Sequence, residues 1–193
     1  IPYARGRVRS KPIEDIKQEV KTLSSKGYKE VVLVGINLSA YKTEDGLNLC
    51  DVVKEVCNIN GIERVRLGSL EPDQIDEDTI RKFSLEKKFC PQFHLSLQSG
   101  CDETLKRMNR HYNTSEYFEI IKNIRKYFDN ASITTDVMVG FAGETEEEFS
   151  SSLAFVEKVG FSKVHVFPYS RRPGTRAASF AGQITNAQKK DRS

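Results

Sequence analysis

The 193-residue sequence has no long apolar run, and its positive charge exceeds its negative charge only slightly. A membrane-spanning helix needs about eighteen or more consecutive apolar residues, and no stretch approaches that length. The opening also lacks the apolar core of a secretory signal. The sequence therefore predicts a cytoplasmic protein with no membrane partner. With 30 Lys and Arg against 27 Asp and Glu, the excess is too small to predict nucleic-acid binding by itself.

Paired cysteines are also missing. The four cysteines, Cys50, Cys57, Cys90 and Cys101, are far apart and form no C-x-x-C pair. In a cytosolic chain this distribution predicts free thiols rather than a disulfide framework or a metal site. The content of 38% hydrophobic and 30% charged residues predicts one globular domain, residues 1–193, with a sizeable core.

Short β-branched runs alternate with helical stretches along the whole chain. The runs are EVVLVGIN, RVRLGSLEP, FHLSLQSG, SITTDVMVG and KVHVFPYS. Their spacing of about thirty to forty residues is that of one strand plus one crossover helix, which predicts parallel strands and the α/β class. The architecture is then an open doubly wound sheet or a partial β/α barrel. Ser10 before Pro12 predicts a helix N-cap, and the spacing of Thr145 and Glu148 predicts a capping box.

Several predicted strands carry polar side chains on one face only. Strand residues alternate between faces, so a strand buried on both sides in an α/β sheet would be almost wholly apolar. The polar positions are Arg64 and Arg66, then His94, Ser96 and Gln98, then Thr134 and Asp136, and finally His165. This pattern favours a barrel or half-barrel with a wet cavity, because dry, unpaired polar groups would be costly. In such folds ligands bind where the strands end.

Three longer segments identify a family resemblance. FHLSLQSGCDETLKRMNRHY, TTDVMVGFAGETEEEF and HVFPYSRRPGTRAA together resemble the radical S-adenosylmethionine methylthiotransferases, which insert sulfur and a methyl group at an unactivated C–H bond. Within that family, HVFPYS followed by Arg-Arg-Pro-Gly-Thr is most similar to the branch that acts on N6-threonylcarbamoyladenosine at position 37 of tRNA. The resemblance runs from Ile1 to about residue 180.

The resemblance implies that this chain is part of a larger protein. In the family, a C-x-x-x-C-x-x-C loop ends just before an Ile-Pro-Tyr-Ala-Arg-Gly stretch, and its thiolates bind a [4Fe–4S] cluster. The four cysteines here do not match that motif, so the cluster ligands are expected upstream of Ile1 and none within the chain. The chain is expected to hold strands two to six of a partial (β/α)6 barrel, without the first strand. Alone it should be inactive, and the missing strand should leave EVVLVGIN as an exposed edge that pairs with other copies.

The resemblance also implies which residues bind S-adenosylmethionine. They end successive strands or form the turns that follow, and they would contact the methionine group, the ribose and the adenine. The family usually has proline where this chain has Ala142, within the GFAGE turn. The implied cofactor-binding residues are Gly35, Asn37, Ser69, Gln98, Ser99, Asp136, Gly140, Glu144, Phe167 and Tyr169.

The partners implied are the tRNA anticodon loop and a reductant such as flavodoxin. Cations positioned for phosphate contacts would bind the RNA. Two basic groups are expected to do so: Arg5, Arg7 and Arg9, and then Arg171, Arg172 and Arg176. A third group, from Lys106 to His111, is expected to be a solvated helix face.

Other functions are compatible with the residues. The nearest alternatives are methylthiotransferases that act on isopentenyladenosine in tRNA or on a ribosomal protein. A phosphate-binding barrel lyase or isomerase would use His94, Asp136 or His165 in acid–base chemistry. A non-catalytic RNA-binding module would use the arginines alone.

Overall fold

The computed structural model describes residues 6–193. Two compact units divide the chain. The first contains residues up to 94 together with 123–131, and the second contains residues 95–122 and 132–193. Each unit combines helices with a pair of parallel strands. The α/β class predicted from the sequence is therefore confirmed.

All five predicted strands form. The strands are β1 Glu30–Leu33, β2 Arg64–Leu67, β3 Ser69–Leu70, β4 Gln92–Leu95, β5 Ser132–Val139 and β6 Lys163–Pro168. Gly68 separates β2 from β3, so one predicted strand becomes two. The helices are α1 Ile13–Ser25, α2 Leu49–Cys57, α3 Glu77–Ser84, α4 Asp102–Arg107, α5 Thr114–Tyr127, α6 Glu146–Val159 and α7 Asn186–Asp191.

In the first unit, β1 and β2 run parallel, with Val31 beside Val65. Val65 is fully buried, as are Val53 and Val56 on α2. Phe89 stacks on Phe83 with ring centroids 4.9 Å apart. These side chains form the core of this unit, which lies on the helix-covered face of the strands.

In the second unit, β5 alternates regularly between buried and half-buried residues and pairs in parallel with β6. Thr135 is on the buried face, where its Oγ1 donates to the Leu95 carbonyl at 2.6 Å and accepts from the Leu97 N–H at 2.9 Å. Tyr117 on α5 also donates to the Leu95 carbonyl, at 2.9 Å. The buried hydroxyl of Thr135 thus has hydrogen-bond partners on the neighbouring backbone.

The predicted strand faces are largely confirmed. Val65 and Leu67 are buried, whereas Arg64 and Arg66 lie on the opposite face, where both pair with Glu30 at 2.5 and 2.9 Å. The hydrogen bond from Arg64 is the main cause of a lowered pKa of Glu30, and the hydrogen bond from Arg66 lowers it further. Ser96 and Gln98 differ from the expectation of a wet face. Both are buried, and both lie beyond β4, which ends at Leu95.

The predicted N-terminal cap is confirmed at α6 and wrong at α1, although the α1 helix itself forms. Thr145 and Glu148 form the predicted capping box, and Gly160 ends α6 in the left-handed conformation with φ +64°. At α1 the N-cap is Pro12, not Ser10. The Ser10 hydroxyl instead accepts from the Lys42 N–H at 3.0 Å. Across residues 6–193, no helix has the length and apolar character needed to cross a membrane.

Candidate functional site

In the first unit, the predicted site residues lie in the segment that follows β1 and on β3. Gly35 follows β1 and is exposed, and Asn37 caps a short 3-10 helix, Leu38–Ala40, by accepting from the Ala40 N–H at 3.3 Å. Ser39 of that helix accepts from the Glu71 N–H at 3.0 Å, which joins the segment after β1 to the one after β3. Ser69 lies exposed on β3 beside this junction.

Gln98 has an unusual backbone conformation in the second unit. Its φ is +67°, which costs a non-glycine residue about 1–2 kcal/mol. Its N–H donates to the Asp136 carbonyl at 2.8 Å, and its carbonyl accepts from the Met138 N–H at 2.9 Å. The neighbouring strand therefore holds Gln98 in place on both sides. Strain of this kind is concentrated at functional sites, which supports a site role for Gln98.

Gly100 anchors the same turn to α6, and Ser99 closes the turn locally. Ser99 is almost fully buried, and its Oγ accepts from the Cys101 N–H at 3.2 Å. The Gly100 N–H donates to Ser152 Oγ at 2.8 Å, and a Cβ at Gly100 would lie only 2.7 Å from the Ser152 carbonyl oxygen. The backbone at Gly100 approaches the helix so closely that only glycine fits. Ser99 thus has a turn-forming role.

Asp136 and His165 occupy neighbouring positions on β5 and β6. They are register partners in the parallel pair, and paired positions lie on the same face of a sheet. Asp136 is half-buried, whereas His165 is exposed. This pair and Gln98 lie toward the same part of the second unit, because Gln98 bonds to the backbone of Asp136.

The Gly140–Glu144 turn follows β5 directly. Gly140 and Gly143 have φ of +68° and +79°, and the Gly140 N–H donates to Glu144 Oε2 at 2.7 Å. The Glu144 side chain is 2% exposed and pairs with Arg192 at 2.6 Å. Ala142 is buried inside the turn. The Glu144 carboxylate therefore closes the turn itself, a role the sequence pattern did not reveal.

Phe167 and Tyr169 lie at the end of β6. Phe167 is half-buried, and Tyr169 packs its ring against Phe141 at 5.0 Å between centroids. The Tyr169 N–H donates to the Val139 carbonyl at 2.8 Å. Although Tyr169 is 9% exposed, its buried hydroxyl has no hydrogen-bond partner. An orphaned polar atom in such a place indicates a missing partner such as a ligand or water.

The predicted RNA-binding arginines are exposed wherever the structure describes them. Arg7 and Arg9 belong to the first unit, and Arg171, Arg172 and Arg176 to the second. Arg171 donates to the Ala178 carbonyl at 2.8 Å, which orders the loop after β6. Arg5 lies outside the described residues. The third basic group is not simply solvated, because Arg107 is half-buried and forms an ion pair with Glu148.

Lys189 and Arg192, in α7 and just after it, were not predicted. Lys189 is 8% exposed and donates to the Tyr169 carbonyl at 2.8 Å. A local signal for this helix exists in the sequence, because Thr185 and Gln188 form a capping box. The contacts of the two cations with distant turns have no such local signal.

The described residues hold no candidate metal centre. All four cysteines are free thiols, as predicted. Between residues 6 and 193, no three side chains of His, Cys, Asp or Glu come together in a way that could hold an ion.

Comparison with known proteins identifies relatives of the whole chain. The family model described as the radical SAM superfamily matches residues 1–156. A threonylcarbamoyladenosine tRNA methylthiotransferase MtaB of Thermotoga maritima is 42% identical over 193 residues, covering 100% of this chain and 44% of the relative. A tRNA-2-methylthio-N(6)-dimethylallyladenosine synthase of Clostridium botulinum is 41% identical over 186 residues, covering 95% and 41%. The chain therefore spans less than half the length of these relatives.

Solved structures share the fold at low sequence identity. Coproporphyrinogen III oxidase (HemN) of Escherichia coli, a radical SAM enzyme, matches with a TM-score of 0.64 and 18% identity, covering 93% of this chain and 42% of that one. The radical S-adenosylmethionine methyltransferase TsrM of Kitasatospora setae matches with a TM-score of 0.71 and 13% identity, covering 86% and 32%. These matches support the fold class predicted from the motifs.

Proposed function

Because this chain belongs to the radical SAM superfamily, we propose that it is the core of a tRNA-modifying enzyme that methylthiolates N6-threonylcarbamoyladenosine at position 37. The observation that carries this proposal is the 42% identity, along the entire chain, to a relative named for that activity. The segment HVFPYS followed by Arg-Arg-Pro-Gly-Thr carries the branch resemblance, and the motifs around Gln98 and Gly140 carry the family resemblance. Residues 1–193 would then be one domain of a longer protein.

The proposed cofactor is S-adenosylmethionine, bound at the segments that follow the strands. The residues of the second unit fit its adenosine end, because the Tyr169 hydroxyl is buried without a partner and Gln98 is held in a strained conformation. In this proposal Gln98 and Asp136 face the ribose, and the ends of β5 and β6 face the adenine. In the first unit, Gly35, Asn37 and Ser69 stay proposed cofactor-binding residues on the family resemblance alone. The buried, hydrogen-bonded Glu144 would shape the site rather than touch the cofactor.

A [4Fe–4S] cluster does not fit the described residues, which offer no set of ligands for it. Cluster ligands would have to come from elsewhere in the protein, and residues 6–193 alone are expected to be inactive. When bound, the cluster and cofactor would supply the radical chemistry. This chain would bind and orient the cofactor and keep water from it.

The proposed substrate is the anticodon loop of tRNA, contacted by the exposed arginines. Arg171, Arg172 and Arg176 follow β6, beside the proposed adenine end of the cofactor site. Phosphate contacts need exposed cations but no particular surroundings. The enzyme would act in the cytoplasm, with a reductant such as flavodoxin.

A second candidate substrate is isopentenyladenosine in tRNA. The Clostridium botulinum relative, named for a dimethylallyladenosine product, is 41% identical over 186 residues, almost the same value as the first relative. The two substrates differ only in the group on the adenine N6. Incubation of the complete enzyme with tRNAs carrying each modification, followed by mass spectrometry of the nucleosides, would distinguish them.

The experiment that tests the proposed function is anaerobic expression of the complete gene product. Bound iron and sulfide and reductive cleavage of S-adenosylmethionine would be measured. We expect iron, sulfide and 5′-deoxyadenosine. A protein without iron, or one that performs acid–base chemistry on a phosphorylated substrate through Asp136 or His165, would contradict the proposal.

A further inference from the structure

The helix α7 brings two buried cations against the segments that follow β5 and β6. Lys189 is 8% exposed, and the Arg192 side chain is 5% exposed. Lysine and arginine are rarely buried unless they have a partner, because removal of a charge from water is costly. Their burial at this edge of the second unit therefore requires an explanation.

Lys189 contacts the first residue after each of the two strands. Its ammonium donates to the Tyr169 carbonyl at 2.8 Å and lies 5.2 Å from the centroid of the Tyr169 ring. Its methylene groups cover Gly140, where an added Cβ would lie 2.5 Å from Lys189 Cγ. One side chain thus fixes both strand ends.

Arg192 fixes the turn that continues from Gly140. It donates to Glu144 Oε2 at 2.6 Å and to the Glu144 carbonyl at 3.3 Å, and its other nitrogen donates to Glu146 at 2.5 Å. Burial opposes the charge of Arg192, but the hydrogen bonds to Glu146 and Glu144 outweigh it and raise its pKa. Glu144 Oε2 also accepts from the Gly140 N–H, so the cation, the carboxylate and the turn form one network.

The chain before α7 adds a further backbone contact. The Gly143 N–H donates to the Gly182 carbonyl at 2.8 Å. Residues 182–192 therefore contact the Gly140–Glu144 turn at both of its ends and the end of β6 as well. A leucine or methionine at position 189 could cover Gly140 without desolvating a charge. The presence of a lysine at position 189 is therefore explained by the hydrogen bond from its ammonium to the Tyr169 carbonyl.

We propose that Lys189 and Arg192 are positioning residues, which hold the Tyr169 carbonyl and the Gly140–Glu144 turn in the geometry that receives the adenosine end of the cofactor. This inference rests on the proposed function. Neither residue touches the cofactor in this proposal. Both act through the backbone segments that do, and their loss would weaken cofactor binding while leaving RNA binding intact.

The test compares Lys189→Met with Lys190→Met, since Lys190 is the exposed neighbour on the same helix. In the cluster-free complete protein, hydrogen exchange of the amides in residues 140–144 and 167–170 is measured. In the cluster-loaded protein, the dissociation constants of S-adenosylmethionine and of tRNA are measured. We expect Lys189→Met to speed the exchange and to weaken cofactor binding about tenfold or more, the value of a hydrogen bond from a charged group. Binding of tRNA should not change, and Lys190→Met should behave as wild type.

Lys189→Arg and Lys189→Gln keep the test decisive if Lys189→Met does not fold. Arginine restores a charged donor and should recover most of the affinity, whereas glutamine supplies a neutral donor and should recover less. A folded Lys189→Met protein with unchanged cofactor affinity, or with equal losses of cofactor and tRNA binding, would overturn the inference. Failure of the wild-type protein to bind S-adenosylmethionine would instead overturn the proposed function.

Discussion

Individual residues of the second unit have roles that their sequence neighbours do not reveal. Gly100 lies in the turn that follows β4, and glycine is required there because α6 lies against its backbone. Glu144 was predicted to bind the cofactor, whereas the structure shows its carboxylate bonded to Gly140 and Arg192. Gly100 contacts Ser152, and Glu144 contacts Arg192, and both partners lie far along the chain. Local sequence patterns contain no information about such contacts.

Gly100→Ala is expected to destabilise the protein by about 1–3 kcal/mol, the usual cost of overpacking. The new methyl group would lie 2.7 Å from the Ser152 carbonyl oxygen and 2.8 Å from Phe155 Cβ. The measurement is the free energy of unfolding in urea. Gly35→Ala is the control, because its Cβ would meet Leu38 Cα at an ordinary 3.4 Å. Equal stability of the two variants would show that the backbone at Gly100 does not lie against α6.

The Cys57 thiol should make stability depend on alkaline pH. Burial raises the pKa of Cys57 from 9.0 to about 11. The thiol therefore ionises first in the unfolded chain, and its contribution to stability is complete below pH 9 and lost as the pH rises toward about 11. Two pKa units correspond to at most about 2–3 kcal/mol.

The measurement for Cys57 is the free energy of unfolding at pH 8 and pH 10.5, for wild type and Cys57→Ala. The variant should be less stable at pH 8, because a buried side chain is shortened, but it should lose less stability at the higher pH. If both proteins lose the same amount, the thiol is not shielded from water in the folded state.

For the helices, capping residues could be predicted from the sequence, whereas ion pairs between helices could not. The capping box of α6 follows from the spacing of Thr145 and Glu148 and is present. The partner of Glu148 on α4, Arg107, could not be predicted, because it depends on how two helices pack. The Ser10 N-cap failed for a similar reason, since its hydroxyl binds the Lys42 N–H far along the chain.

The Arg107–Glu148 pair should stabilise the protein above acidic pH. The hydrogen bond from Arg107 is the main cause of the lowered pKa of Glu148, whose ordinary value is 4.5. A lowered carboxyl pKa stabilises the fold above pH 4.5, and this stabilisation is lost as the pH falls below it. Glu148→Gln should therefore be about 1–2 kcal/mol less stable than wild type at pH 7 and nearly equal to it at low pH.

The measurement for Glu148 is a set of urea unfolding curves between pH 3 and pH 7. Glu157→Gln, on the exposed side of the same helix, should follow the wild-type pH dependence. A constant difference between Glu148→Gln and wild type across this range would mean that the variant loses packing rather than an ion pair.

For the whole molecule, the β-branched runs and their spacing were sufficient to predict the strands and the parallel direction of β1 with β2 and of β5 with β6. Each of the five runs forms a strand, because β-branched residues with one apolar face meet helices on that side. The division into two units and the contacts of α7 were not predicted. They depend on contacts between distant segments, and the residues after position 180 carry no strong apolar pattern.

The edge of β1 is expected to promote self-association of the 193-residue chain. On the face opposite Val31, Val32 is 50% exposed and Val34 is 75% exposed. An exposed apolar strand edge pairs readily with another chain, and a lysine on it prevents pairing. Val32→Lys should therefore reduce self-association in sedimentation velocity. Leu153→Lys, with equal exposure on α6, should not. A wild-type chain that stays monomeric at all concentrations would contradict this expectation.

The proposed function is methylthiolation of N6-threonylcarbamoyladenosine in tRNA by the enzyme to which this chain belongs. The most direct measurement is mass spectrometry of tRNA nucleosides from a host that lacks its own enzyme for this step and expresses the complete gene. We predict that the methylthio form of threonylcarbamoyladenosine appears, and that it is lost when Gly140 and Lys189 are both substituted. Threonylcarbamoyladenosine that stays unmodified, while the protein is folded and carries its cluster, would contradict the claim.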